Sequence, residues 1–179
     1  SVVAAPTRPN TSNRWQKTDM KIGNLRRAGL LIAIAIAGLD QLSKWWIVEI
    51  VMQPPQLMPL TPFFNLVLGH NRGVSFGLFG TDESYAPYIL SGIAAAISVA
   101  LVIWLWRADR RPVVIALGMI IGGAVGNVID RLSIGAVVDF LDFHAAGYHW
   151  PAFNIADIGI TCGAALLIID SFFDRETKG

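Results

Sequence analysis

Four apolar stretches, 28–48, 86–106, 112–130 and 155–173, each close to twenty residues long, constrain this chain more than any other feature. Hydrocarbon roughly 30 Å thick, divided by about 1.5 Å of rise per residue, calls for about 20 residues per spanning helix, so all four qualify. None is short enough to be a single buried strand. The first lies too deep in the chain and is too polar at its far end for a cleaved signal sequence, and no small-residue cleavage site follows it, so a permanent helix is expected. Composition agrees: 54% of the 179 residues are hydrophobic and only 15% are charged, against about 25% charged in an ordinary soluble domain. The 14 Lys and Arg nearly balance the 13 Asp and Glu, and no basic block offers a nucleic-acid surface. The single cysteine, Cys162, closes no internal disulfide and builds no cysteine-based metal site.

Orientation follows from Lys and Arg in the short flanks. Arg8, Arg14, Lys17, Lys21, Arg26 and Arg27 precede the first helix, Arg107, Arg110 and Arg111 fill the second connection, and Arg175 and Lys178 follow the fourth helix. Only Arg72, Arg131 and Lys44 fall on the other side. Both termini are therefore expected in the cytoplasm and the first and third connections outside. Trp45, Trp46, Trp104, Trp106 and Trp150 fall near helix ends, as interfacial anchors do.

Residues 1–23 carry no hydrophobic period and read as a disordered cytoplasmic extension, native or not, with Met20 as an alternative natural start. Residues 24–179 read as a single four-helix membrane domain. The connection 49–85 holds Pro54, Pro55, Pro59 and Pro62 and the strand-like run 63–68, which predicts a small β element at the membrane surface. A second strand-like stretch, 136–143, precedes a turn-rich segment at 145–148. The expected fold is thus an all-α membrane protein with a small extramembrane β element on its external side. The chain contains no internal repeat and no low-complexity tract.

Charged groups at membrane depth cost at least a few kcal/mol each, so they mark function by default. They cluster here. Asp40 and Lys44 end the first helix, Asn127, Asp130 and Arg131 end the third, Asn154 and Asp157 open the fourth, and Asp139 lies in the loop between the last two. Asp170 is the exception, 13 residues and about 20 Å beyond Asp157. Plainer readings compete with function at each place. Asp40 and Lys44 have the i,i+4 order of an intrahelical pair, and Asp130 with Arg131 reads as a neutralised pair anchoring helix to loop as readily as a catalytic group. Gly118, Gly122 and Gly126 form a small-residue seam that is expected to hold the end of helix three against helix four.

His144, His149 and Asp142 have no metal-ligand spacing. Cys162, beside Gly163, Ala164 and Ala165, reads as a small apolar residue without a base. Ser43 next to Lys44 leaves a serine-lysine mechanism as an outside case, and no glycine-rich loop of the phosphate-binding kind is present. What survives is carboxylate chemistry at one membrane surface. Asp139 and Asp157 have no adjacent cation, and two carboxyl groups brought together at low dielectric share a proton. Asp130 stays open as an alternative member of the pair.

Five blocks of this sequence resemble the bacterial lipoprotein signal peptidases (signal peptidase II). They are Asp40-Gln41-Leu42-Ser43-Lys44, Asn71-Arg72-Gly73-Val74-Ser75-Phe76-Gly77, the run from Gly122 to Arg131, Val137-Val138-Asp139-Phe140, and the run from Pro151 to Asp157, in the family's order across 28–173. Arg72 departs from the family pattern, which more often has a small or polar residue there. The resemblance implies an aspartyl protease, a peptidase domain over 24–179, that removes the signal peptide of a diacylglyceryl-modified prolipoprotein just before its lipidated cysteine. It implies Asp139 and Asp157 as the catalytic dyad, with Asn71, Asn127, Arg131 and Asn154 binding substrate or supporting the dyad, and Asp40, Lys44 and Asp130 as structural polar groups. It also implies inhibition by the cyclic peptide globomycin.

No cofactor, metal or nucleic acid is expected; membrane lipid is the expected surrounding, and a monomer in the bacterial inner membrane the expected state. Two other classes compete. A proton-coupled transporter would place its acids near the midplane on broken helices or repeats, and a non-catalytic assembly factor would use the same glycine seam and polar contacts.

Overall fold

The computed structural model describes residues 12–73 and 85–176. Four of its helices are long and apolar enough to cross a membrane: Gly23–Val51, Pro87–Arg107, Arg111–Ile134 and Ile155–Phe173. Each matches one stretch expected from hydropathy. The first belongs to α1, Ser12–Trp46, which runs on into a π-helical turn at Ile47–Val51. The backbone of residues 12–23 is helical, inside the segment expected to be disordered; it contains no proline, and its one glycine, Gly23, sits where the apolar span begins, so no strong breaker interrupts the helix. The other helices are α2 (Ala86–Arg107), α3 (Arg111–Ile134) and α4 (Ile155–Glu176).

The third helix is the axis of the bundle. Half of its apolar window is buried, against 11–22% for the other spans, and it packs on all three of them. Its glycines allow this, although not as the seam reading has it. A Cβ at Gly118 would lie 2.5 Å from the Gly29 carbonyl oxygen, one at Gly122 2.5 Å from that of Ala33, and one at Gly126 2.5 Å from an Asp40 carboxylate oxygen. The i,i+4 stripe therefore seats chiefly α1, with only Gly126 also touching α4, at the Ala156 Cβ. Gly123, one residue and 100° further round, is the one pressed against the Ala156 backbone, while Gly163 of α4 meets the Ala116 carbonyl. Large apolar side chains such as Leu31, Ile34, Ile97 and Ile168 point outward, as lipid-facing positions do.

At the end where α1 and α3 finish and α4 begins sits a four-stranded antiparallel sheet, β1 (Met58–Thr61), β2 (Phe64–Asn71), β3 (Val137–Ala145) and β4 (Tyr148–His149), in that spatial order. The expected strand runs 63–68 and 136–143 became β2 and β3. β1 carries Pro59 and is an edge strand, where a missing N–H does no harm. Register pairs Gly69 with Asp139 and Asn71 with Val137, across a bulge after Leu66. α3 stops at Gly135, whose φ of +74° gives the left-handed turn that sends the chain into β3, its N–H donating to the Arg131 carbonyl. Beneath the sheet a core of Ile47, Met52, Val138 and Phe140 fixes it to α1. At the opposite end Arg110 closes on Asp170 at 2.9 Å, which gives the isolated acid of the fourth helix a partner.

Candidate active site

The polar residues that hydropathy makes anomalous converge at the sheet end of the bundle. Asp139 is buried in the middle of β3, and Asp157 opens α4. Asn154 joins them. Its Nδ2 donates to Asp139 Oδ1 at 2.7 Å, and its backbone N–H to Asp157 Oδ2 at 3.3 Å. Its Oδ1 accepts the Asp157 N–H at 3.0 Å, so Asn154 and Asp157 form a reciprocal capping box on α4 in which the N3 acid is one of the paired carboxylates. On the outer sides, Asn71 Nδ2 donates to Asp139 Oδ2 at 3.0 Å and Asn127 Nδ2 to Asp157 Oδ1 at 2.9 Å. Both acids are thus held by neutral N–H donors from three chain segments. Burial pushes the Asp139 carboxyl above its ordinary range; the Asn71 bond pulls it down, and the nearby Asp157 charge pushes it further up.

A second pair of carboxylates lies beside the first and is held differently. Lys44 Nζ lies 2.7 Å from Asp40 Oδ2 and 2.8 Å from Asp130 Oδ2, and all three side chains are almost wholly inaccessible. Asp40 Oδ1 accepts the Ala156 N–H at 2.9 Å, so the carboxylate of α1 caps α4 from outside. Asp130 Oδ2 accepts the Val138 N–H at 3.0 Å and so pins β3. The expected Asp130–Arg131 pair does not form: neighbours on a helix point about 100° apart, and the acid turns to α1. Gln41, which sequence reasoning passed over, donates from Nε2 to Asp130 Oδ1 at 2.8 Å and to the Gly126 carbonyl at 3.2 Å.

Arg131 instead lies within electrostatic reach of Asp157 and Asp139, with its Nε buried and, among the described residues, without a hydrogen-bond partner. With Asn127 it lines a groove of about 290 Å³ whose walls are Ala94, Ile97, Ile120, Ala124 and Ile160, from α2, α3 and α4. Asp157 borders another groove, of about 380 Å³, walled by residues 150–153 with Ile158, Thr161 and the exposed Cys162. Both dyad-side grooves are apolar apart from these few groups. Arg72 is exposed, and Val74, Ser75, Phe76 and Gly77 of the second sequence block lie outside the described residues.

The histidines belong to a separate cluster. His149 Nδ1 lies 2.9 Å from both Asp142 oxygens, Asn65 Nδ2 donates to Asp142 Oδ2 at 2.8 Å, and the His144 ring stacks on His149 at 4.9 Å. Burial alone would raise the Asp142 carboxyl, but the Asn65 and His149 bonds outweigh it and hold the group below its ordinary range. The cluster latches β2, β3 and β4 together. Among the described residues no group of three or more His, Cys, Asp or Glu is arranged to hold a metal ion.

With this geometry in place, comparison with known proteins decides the family. The sequence model of Signal peptidase (SPase) II matches residues 32–173, most of the chain. This chain belongs to the signal peptidase II family. The lipoprotein signal peptidase of Beijerinckia indica is 41% identical over 152 residues, which cover 84% of this chain and 91% of that protein. That of Nitrobacter hamburgensis is 45% identical over 151 residues, 82% of this chain and 92% of that one. A solved bacterial membrane enzyme superposes with a TM-score of 0.71 at 31% identity, covering 85% of this chain and 92% of the other. Signal peptidase II enzymes are proteases, so this member is a multi-pass membrane protease whose matched region contains the whole polar cluster.

Proposed function

We propose that the chain is an aspartyl endopeptidase that removes the signal peptide from diacylglyceryl-modified prolipoproteins, cutting the bond before the lipidated cysteine, with Asp139 and Asp157 as its catalytic dyad. The substrate class comes from relatives named lipoprotein signal peptidase. The observation that carries the aspartyl chemistry is Asn154, which bonds both carboxylates at once while Asn71 and Asn127 flank them. Amide donors hold a carboxylate in place and leave it free to gain or lose its proton.

Asp139, whose carboxyl is pushed upward by burial, holds the shared proton, and Asp157, at the N-terminus of α4 where the helix dipole favours negative charge, is the base. Asp157 takes a proton from water as the water oxygen bonds to the scissile carbonyl carbon, and Asp139 gives its proton to the carbonyl oxygen. The result is a neutral tetrahedral diol. Collapse breaks the carbon–nitrogen bond: Asp157 protonates the leaving nitrogen of the lipidated cysteine, and a diol hydroxyl returns its proton to Asp139. No metal or organic cofactor takes part. Arg131, its guanidinium facing both acids at the head of an apolar groove, binds backbone carbonyl groups of the substrate.

Eleven of the fourteen basic residues flank one end of the spans, which supports cytoplasmic termini and a dyad near the external leaflet of the bacterial inner membrane. There a lipidated substrate is reached without leaving the bilayer. The protein works as a monomer and is inhibited by globomycin. The test is purified full-length protein in detergent with a synthetic diacylglyceryl peptide. Mass spectrometry is expected to find one cut, leaving the lipidated cysteine as the new amino terminus; cleavage elsewhere, or of the unlipidated peptide equally well, contradicts the proposal.

A further inference from the structure

We propose that Lys44 is a positioning residue of the dyad, which acts through Asn127 by fixing the amide that donates to Asp157. This rests on the aspartyl reading above and gives a function to a residue otherwise assigned to architecture. An ammonium has three N–H donors and no acceptor. One donor is held by Asp40 Oδ2 at 2.7 Å and another reaches Asn127 Oδ1 at 3.2 Å, while Asp130 Oδ2 pairs with the ammonium at 2.8 Å. The amide cannot turn over, because its NH₂ would then face an ammonium and, on the other side, the Asn154 NH₂ that also donates to Asn127 Oδ1 at 3.3 Å. With its oxygen committed, Asn127 must present Nδ2 to Asp157 Oδ1, where it stands at 2.9 Å. The two ion pairs fix the ammonium, the ammonium fixes the amide, and the amide fixes the acid.

The charge also reaches the dyad. Facing Asp139 and Asp157 are Asp40 and Lys44 from α1 and Asp130 and Arg131 from α3, and Lys44 is among the groups that hold Asp139 down against the upward push of burial. Losing that cation raises the proton affinity of Asp139, so the limb of the pH profile on which Asp139 loses its proton moves to higher pH.

The test is a double-mutant cycle on the full-length protein with the diacylglyceryl peptide, scaled to folded enzyme. Lys44→Met is expected to lower kcat by on the order of 10²-fold, the loss typical of a misplaced catalytic group, with KM little changed and the Asp139 limb of the pH profile raised. Asn127→Ala is expected to lose a similar factor, and the double variant to be scarcely worse than either, because residues acting as one unit do not lose independently. Asp142→Asn, in the β3–β4 latch where Asp142 bonds Asn65 and His149, is expected to combine multiplicatively with Asn127→Ala. Where Lys44→Met does not fold, Lys44→Arg keeps the charge the two carboxylates need and carries the same cycle. Multiplicative losses in the Lys44–Asn127 cycle, or unchanged kcat in a folded Lys44 variant, overturn the assignment and leave the dyad standing. Absence of dyad-dependent cleavage by the unaltered protein overturns both.

Discussion

Two pairs of carboxylates share one end of this molecule, and their partners separate their roles. Asp40 and Asp130 are ion-paired to one buried ammonium, and each also accepts a backbone N–H from a different element. Asp139 and Asp157, by contrast, are held by asparagine amides and a backbone N–H and, among the described residues, form no ion pair. An acid clamped by a cation is committed to that partner and serves as a joint. One held by neutral donors keeps its position and its freedom to exchange a proton, which is what general acid–base work needs. The protein thus uses the same side chain twice within one network, as mortar and as reagent.

The comparison is broken most forcefully at the dyad. Asp157→Asn is expected to lower cleavage by several orders of magnitude while the protein stays folded and binds a lipidated peptide, and the Asp139→Asn/Asp157→Asn double variant should be scarcely slower than either single. The pH profile of the unaltered enzyme should be bell-shaped: at low pH both acids are protonated and no base remains, and as pH rises past the elevated Asp139 range the shared proton is lost. A profile flat across that range would break the assignment.

Next in size come the amides. Asn154→Ala removes a donor from Asp139 and the cap of α4 together, so losses of roughly 10²–10³ in kcat are expected, comparable to removal of a preorganised donor elsewhere. Steady-state kinetics on folded protein checks this; retention of more than half the activity would mean that the bridge is not catalytically coupled.

On the structural side, Asp40→Asn and Asp130→Asn are expected to act on stability, by about 3–5 kcal/mol for a broken buried pair, seen as a lowered melting midpoint in detergent with kcat per folded molecule far less affected than in the dyad variants. The smallest effect belongs to the sheet. Asp142→Asn should loosen the β3–β4 latch by about 1–2 kcal/mol. Because the Asp142 carboxyl is held below its ordinary range, its contribution is present above the unfolded carboxylate pKa of about 4 and is lost as pH falls through the folded value. Hydrogen exchange across residues 137–149 at neutral and acid pH measures it; equal protection at both would remove the latch.

Much of this was legible before any coordinates. A twenty-residue apolar run has few alternatives in lipid, so the four spans emerged within a few residues, and short strand-like runs beside turn residues located β2 and β3. The convergence of Asp40, Asp130, Asp139 and Asp157 was legible too, because three of them sit at span ends on one side and Asp139 lies in the connection between two of those ends. Partnership was not. Asp130 stands next to Arg131 in sequence yet bonds Lys44, since adjacency on a helix separates side chains and only tertiary packing brings α1 to α3. The glycine stripe revealed a seam without its partner for the same reason. One signal was available and unused: Asn154 and Asp157, spaced N-x-x-D before an apolar run, are a capping box, and that local motif ties one dyad acid to its amide.

The central claim, that the amide-held acids are the reagents and the ion-paired acids the joints, is tested most directly by single-turnover cleavage of a diacylglyceryl peptide with matched amounts of folded Asp139→Asn and Asp130→Asn. The account predicts that Asp139→Asn is slower by several orders of magnitude, the loss expected of a general acid, while folded Asp130→Asn still cleaves at a readily measured rate. Near-normal turnover by Asp139→Asn together with loss in folded Asp130→Asn would contradict it and move the chemistry to the other pair.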